Sequence, residues 1–286
     1  MTAPNWRSLL FVPATAEKFV AKAHTRGADV VILDLEDSIP PSEKLAARAA
    51  LPAAVKTVGQ AGGAVCVRIN RQLELAVPDI EAAVIPGVSV LMLPKVMGAE
   101  HIKLLSEVVA VREAAMGMPV GQTRFIALVE TPAALANLNA IAAADPRMAA
   151  MGVGSEDLAT ELEAVPGADA MYVFAMMNIA ACRAAGILPL GSVGAFADFS
   201  DLEGYRTSLQ RSRKLGFGCA ACIHPLHVPI INEEYGASAA EVDRARRLIA
   251  CFEEALAKGL GAVAFEGAMI DLPVVDRARK VLARAR

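Results

Sequence analysis

Five segments of the sequence end in residues able to bind ions or move protons: Asp34-Leu35-Glu36-Asp37-Ser38, Arg68-Ile69-Asn70, Pro94-Lys95, Glu130-Thr131 and Gly154-Ser155-Glu156-Asp157. Each follows a short apolar run. Glu130 closes Phe-Ile-Ala-Leu-Val, a run expected to be buried on both faces, so its carboxylate loses hydration unless a cation or hydrogen bonds replace it. Asp157 falls on the loop after the next apolar run, which lets the two carboxylates converge. Two carboxylates with the remaining positions open is how Mg²⁺ is commonly held, waters and an anionic substrate completing the octahedron. The plainer alternatives are that Glu130 caps the helix starting at Pro132 or pairs with an arginine. Arg68 carries a planar fork that matches the two oxygens of a substrate carboxylate. The same fork can pair with Asp34, Glu36 and Asp37, and the two readings are compatible. Strand alternation puts Asp34 and Glu36 on one face and Asp37 near the rim.

Two further motifs carry less. Cys219-x-x-Cys222 resembles half a zinc site, but residues three apart in a strand face opposite sides and no second pair follows. His224-x-x-His227 lacks the glutamate and helical context of a zinc protease, and His224 is better placed to fix the turn before Pro225. No Gly-x-Ser-x-Gly elbow is present.

Positioning these residues requires a repeating frame. Eight apolar runs read as strands: Leu9–Pro13, Val30–Glu36, Val65–Asn70, Val90–Val96, Phe125–Glu130, Met148–Gly154, Ile187–Ser192 and Cys219–His224. Helical patterns lie between them, among them Ser42–Gly59, Ala99–Met118, Ala168–Ala185 and Leu202–Leu215. Ser42 stands where a helix cap is expected, and Gly27, Gly59, Gly186 and Gly216 stand where helices should stop. Alternation of strand and helix implies right-handed crossovers and a parallel sheet. Eight units in about 225 residues match a closed (β/α)8 TIM barrel, whose active site forms at the C-terminal ends of the strands. A doubly wound open sheet would show a glycine-rich turn after its first strand, and here that turn is Pro13-Ala14-Thr15-Ala16. The expected division is residues 1–232 as the barrel and 233–286 as a C-terminal helical extension or lid, with a helix from about Ser238 to Lys258 and a second segment Phe265–Arg286.

Composition sets the outer limits. With 55% hydrophobic residues and a net charge of −3, the chain can bury a large core and lacks the basic face that nucleic acid requires. No apolar stretch approaches the ~20 residues of a membrane span, and the run near the N-terminus is broken too soon for a signal peptide. Four of the five cysteines lie in apolar segments, as free thiols do in a cytosolic protein. A cytoplasmic location is expected.

Taken in order, Arg7-Ser-Leu-Leu-Phe-Val-Pro13, Leu33-Asp-Leu-Glu-Asp-Ser38, Val67-Arg-Ile-Asn70, Leu93-Pro-Lys95, Glu130-Thr131, Gly154-x-Glu-Asp-Leu158, Ile223-His-Pro225 and Gly267-Ala-Met-Ile-Asp271 resemble the citrate lyase β-subunit-like family of the HpcH/HpaI aldolase and malyl-CoA lyase superfamily. The resemblance spans nearly the whole chain. It implies a Mg²⁺-dependent barrel that cleaves or forms a carbon–carbon bond in a 3-hydroxyacyl thioester, yielding acetyl-CoA and a small keto or aldehyde acid. It implies Glu130 and Asp157 as metal ligands and Arg68 as the carboxylate holder. Phe11 and Lys18 correspond to residues that help hold CoA, and Asp271 to an acid/base delivered to a neighbouring subunit's site. Arg68, Asp37 and Asp271 are the residues expected to be catalytic. The expected assembly is a homotrimer or homohexamer. Thioesterase action, malate-synthase-type condensation, or a β subunit within a citrate lyase complex are the alternative activities. The chain departs from the family pattern at Ala14, where glycine is usual, and at Leu190-Gly191, where Ile-Asp is frequent.

Overall fold

The computed structural model describes residues 4–165, 169–194 and 201–285. It consists of two compact units, Met1–Asn232 and Glu233–Arg286.

The first unit alternates strand and helix. In chain order it contains β1 (Ser8–Pro13), α1 (Glu17–Ala23), β2 (Val30–Asp34), α2 (Lys44–Val58), β3 (Ala64–Arg68), α3 (Leu73–Ala83), β4 (Val90–Leu93) and α4 (Ala99–Ala115). There follow β5 (Arg124–Val129), the short α5 (Pro132–Leu135) and α6 (Leu138–Ala142), β6 (Met148–Val153), α7 (Ser155–Glu161), α8 (Asp169–Ala185), β7 (Leu188–Leu190), α9 (Leu202–Leu215), β8 (Ala220–Cys222) and the first residues of α10 (His227–Tyr235), which ends past Asn232. The strands are ordered β7-β6-β5-β4-β3-β2-β1-β8, and a parallel bridge between Leu190 and Cys219 closes the ring. This is the expected (β/α)8 barrel.

Alternation decides where each side chain goes. Leu9, Ile32, Cys66, Met92, Ile126 and Leu128 belong to one buried cluster inside the ring, joined at its edge by Phe11. Their sequence neighbours face the helices, which is why whole strands such as Val30–Asp34 are buried throughout and read as continuous apolar runs. Cys219 lies in the interior cluster, whereas Cys222 is buried without belonging to it, as the three-residue spacing in a strand demands.

Several boundaries differ from the sequence reading, each for a local reason. The strands stop earlier: β2 ends at Asp34 and β4 at Leu93, because the polar residues that follow turn into the mouth of the barrel and leave the ladder. Ser42 does not cap a helix; a 3-10 turn spans Pro41–Glu43 and α2 starts at Lys44. Gly27, Gly186 and Gly216 adopt the left-handed conformation expected of helix ends, but Gly59 stays right-handed and Gly62 takes that role. Ala168, expected to open a helix, lies outside the described residues, and α8 begins at Asp169.

The second unit contains α11 (Ala239–Ala257), β9 (Val263–Phe265), β10 (Ala268–Ile270) and α12 (Leu272–Arg284). Ser238 and Glu241 form a reciprocal capping box at the start of α11, the pattern that ties two backbone N–H groups at a helix start. The antiparallel β9–β10 hairpin was not legible in the sequence, since three-residue strands are too short to show alternation. Its two-residue turn places Glu266 and Gly267 at positive φ, as a type I′ turn requires. Leu248, Phe252, Ile270 and Val275 form this unit's own core. No helix among the described residues is long and apolar enough to cross a membrane.

Candidate active site

At the C-terminal ends of the strands the barrel opens into a cavity of about 220 Å³, with Arg68, Glu130, Glu156, Asp157 and Ser192 in its wall and Phe11, Met92, Leu128, Leu190 and Ala221 in its floor. Arg68 ends β3 and is anchored by Asp34 at the end of β2: Nε donates to Oδ1 at 2.6 Å and Nη2 to Oδ2 at 2.8 Å. Its Nη1 lies 2.9 Å from Glu36 Oε2 and 3.3 Å from Asp37 Oδ2, and the guanidinium sits over the Phe11 ring at 4.8 Å. Asp34 also accepts from Glu36 N and from Ser38 N and Oγ. Burial alone would raise the Asp34 pKa, but the Arg68 pairing outweighs it and holds the group below the usual carboxylate value. Arg68 therefore has one pose before any substrate arrives.

Lys95 lies at the centre of the charged ring. Its Nζ is 2.9 Å from Glu36 Oε1, 3.5 Å from Asp37 Oδ1 and 3.3 Å from Asp157 Oδ1. Its backbone N donates to Glu130 Oε2 at 2.7 Å. To do both, Lys95 takes a left-handed φ of 46°, a strained state for a residue with a Cβ. Burial lowers the lysine pKa, yet the Glu36 hydrogen bond and the three carboxylate charges win and raise it, so Lys95 stays an ammonium. Sequence reasoning named Lys95 at a strand end without giving it a task; a lysine directly after a proline at such an end is the available signal, while the left-handed turn that aims its amide is not readable from residue types.

Glu130 is 4% exposed, and no arginine among the described residues pairs with it. The helix that follows is capped by Thr131, whose hydroxyl accepts from Ala134 N, which removes the capping alternative. Burial, with smaller contributions from the Asp157 and Glu36 charges, pushes the Glu130 pKa up to about 7, the Lys95 amide offsetting only part of this. Gly154 lets the Glu130 carboxylate pack directly against its backbone, because a Cβ at that position would overlap it. Asp157, in the first turn of α7, has a side chain 41% exposed at the rim.

Behind the ring, Lys44 Nζ donates to the carbonyls of Leu35 and Glu36, both at 2.7 Å. Asn70 is held by Asp79, which accepts from its N and Nδ2, and in turn donates to Leu35 O. These residues fix the backbone that presents Glu36 and Asp37. Neither Lys44 nor Asp79 was identified from sequence, because both reach the mouth from helices on the outside of the barrel.

The donor set fits a divalent cation. The linked cluster contains five carboxylates, Asp34, Glu36, Asp37, Glu130 and Asp157, against three cations, Arg68, Lys95 and Lys44, and Glu156 adds a further carboxylate to the cavity wall; a divalent ion would reduce this surplus of negative charge. Glu130, a poorly solvated carboxylate with no side-chain cation paired to it among the described residues, is the group that such an ion would compensate.

Phe11 and Lys18 fall in different cavities. Phe11 lines the mouth. Lys18 lies on α1 beside a second groove of about 360 Å³, outside the ring, bordered by Phe19, Lys22, Arg26, Ile223 and His224. His224 Nδ1 accepts from Leu226 N, the turn-fixing role read from the sequence. Asp271 belongs to the second unit, where it caps α12 by accepting from Val274 N at 3.4 Å.

A closed eight-stranded barrel whose strand ends gather a carboxylate-rich, cation-ready mouth defines the class of protein. The chain belongs to the HpcH/HpaI aldolase/citrate lyase family, whose model matches residues 7–225. It is 34% identical to the citrate lyase subunit beta of Leuconostoc mesenteroides subsp. cremoris, covering 98% of this chain and 93% of that one. It is 32% identical to the L-malyl-CoA/beta-methylmalyl-CoA lyase of Cereibacter sphaeroides, over 99% and 95% of the two chains. Among solved structures, the protein CitE from Mycobacterium tuberculosis in complex with magnesium, acetoacetate and coenzyme A is similar with a TM-score of 0.76 and 32% identity, covering 98% of this chain and 97% of that one.

Proposed function

We propose that this chain is a Mg²⁺-dependent carbon–carbon lyase acting on a 3-hydroxyacyl thioester of the malyl, citramalyl or citryl kind. Support comes from the family membership, from lyases among its relatives, and from a similar structure that holds magnesium and coenzyme A. The single observation that carries it is the buried, cation-deficient Glu130 beside Asp157 and the pre-set Arg68.

Glu130 and Asp157 would hold the ion, which when bound supplies Lewis-acid polarisation of the substrate oxygen at C3. Arg68 binds the carboxylate of the acyl end and orients it, its pose fixed by Asp34. Asp37 faces Arg68 and Lys95 from the rim and keeps both charged and placed. In the cleavage direction the C3 hydroxyl gives its proton to the Asp271 carboxylate as the carbonyl forms and the C2–C3 bond breaks, and C2 of the departing thioester enolate takes that proton back. Asp271 is assigned that donor role, delivered from a neighbouring subunit in a homotrimer or homohexamer. A 220 Å³ mouth is smaller than the ~300–1,000 Å³ of a whole small-molecule site, so only the acyl end fits there. The groove with Lys18, Lys22 and Arg26 is assigned to the phosphates of the CoA carrier. The free thiols support a cytoplasmic setting for the reaction.

The test is a Mg²⁺-dependent screen over malyl-, methylmalyl-, citramalyl- and citryl-thioesters, reading acetyl-CoA and keto acid. Glu130→Ala is expected to lower turnover by at least about 10³-fold. Wild-type activity of that variant in the presence of chelator would overturn the reading. Free CoA with the intact hydroxy acid as products would identify a thioesterase instead, and co-purification with an acyl carrier protein a subunit of a citrate lyase complex.

A further inference from the structure

Helix α4 carries two apolar stripes, although packing on the barrel needs only one. Ile102, Leu105 and Val109 are buried on its inner side. On its outer side His101, Leu104, Val108, Val111 and Ala115 recur at alternating intervals of three and four, the seam along which one helix packs on another. This seam borders two hollows between α3 and α4. The hollow level with the mouth, about 650 Å³, also takes in Leu73 and Met97. The hollow at the far end, about 730 Å³, takes in Glu81, Glu107 and Arg112. Leu73, Met97, Leu104 and Val111 are each more than half exposed, a contiguous grouping that scattered surface apolars do not make. Arg71 and Glu74 flank the first hollow. Neither they nor Glu81, Glu107 and Arg112 form an ion pair with another described residue. Arg112 Nε is shielded from water and has no hydrogen-bond partner among the described residues.

We propose that this groove is a two-fold interface, in which α4 of a second copy of this chain lies antiparallel along the outer seam of α4. The seam calls for a helix as occupant, because its spacing is that of helix-on-helix packing. The charges select the second copy and its direction. Turned end for end, the copy brings its Glu81 and Glu107 to Arg71 and its Arg112 to Glu74, and the symmetry repeats both pairings at the other end. A parallel arrangement would set Glu81 and Glu107 against themselves and Arg71 against Arg71, and like charges facing each other are repulsive. A two-fold contact requires an even number of protomers. Of the homotrimer and homohexamer expected for this chain, only the homohexamer, two rings of three joined back to back, contains such an axis. The inference is independent of the chemistry at the mouth.

The experiment measures the mass of the full chain in solution by light scattering and sedimentation. Wild type is expected to contain an even number of protomers, and Leu104→Glu combined with Val111→Glu to halve that mass. Both side chains are exposed, so the change should leave each protomer folded. A charge series tests the direction of packing. Glu81→Lys with Glu107→Lys is expected to raise the dissociation constant of the contact by about tenfold or more, and adding Arg71→Glu to the same chain to restore it. Val108 lies at the centre of the seam, next to its own counterpart across the axis. Val108→Cys should therefore cross-link two copies under mild oxidation, with wild type as control, and Ala115→Cys at the seam's end should not. A wild-type monomer or trimer overturns the proposal, as does a mass unchanged by the Leu104 and Val111 substitutions. Failure of Arg71→Glu to restore assembly, or equal cross-linking at 108 and 115, overturns the antiparallel two-fold arrangement.

Discussion

Two buried carboxylates in the barrel, Glu113 and Glu130, follow opposite rules. Glu113 lies on α4 at the N-terminal end of the barrel and is completely matched. Oε1 accepts from Thr123 N and Arg147 Nη1, and Oε2 accepts from Gly121 N and Arg147 Nη2. Arg147 is itself 4% exposed and donates further to Ser106 Oγ and Thr123 O. Burial raises the Glu113 pKa, but Arg147 and the two amides outweigh it and bring the group down to about 2. Glu130, at the other end, receives one amide and faces more negative charge, and its pKa goes up to about 7. A one-to-one pair closes a barrel end. A carboxylate left short of positive charge is poised to bind something.

That contrast is broken most forcefully at Glu113. Glu113→Gln leaves Arg147 buried without its counter-charge, a loss of about 3–5 kcal/mol, visible as a fall in melting temperature on the order of 10 °C. Turnover per folded molecule should hold. An unchanged melting temperature would show that the pair is replaceable by neutral hydrogen bonds.

The pH dependence of the metal-free protein has opposite signs at the two ends. Because the folded Glu130 pKa lies above its ordinary value, its contribution is fully present below about pH 4.5 and is lost as pH rises through about 7, a change of roughly 3 kcal/mol. Glu113, depressed to about 2, contributes above its ordinary value and is lost as pH falls toward 2. Glu130→Gln is therefore expected to stabilise the metal-free protein at pH 8 while abolishing activity. Denaturation curves at about pH 3, 5.5 and 8.5, with and without Mg²⁺, measure both. If wild type and Glu130→Gln shifted in parallel with pH, Glu130 would not be the group responsible.

Gly154→Ala places a methyl on the Glu130 carboxylate and is expected to reduce turnover by about 10–100-fold, 1.4–2.7 kcal/mol, and to shrink the stabilisation by Mg²⁺. Equal Mg²⁺ stabilisation in both proteins would place the ion elsewhere. The smallest effect belongs to the outer groove: Lys18→Ala should raise the KM for the CoA thioester by about 3–10-fold with kcat held, as loss of uniform binding does.

The barrel was legible because each strand is buried on two faces and each helix on one, so apolar runs alternate with amphipathic ones. The strand-end carboxylates were legible as well, since Glu130 closes an apolar run that offers no solvent. Two carboxylates and one guanidinium could thus be named from residue type and position. Their state could not. That Arg68 is locked by Asp34, that Lys95 turns left-handed to serve Glu130 with its amide and Asp157 with its ammonium, and that Lys44 reaches in from a helix are contacts between segments far apart in the chain. The charge excess of the mouth exists only when those segments meet. The Glu113–Arg147 pair drew no notice in the sequence for the same reason: 34 residues separate its members, and only closure of the barrel brings them together.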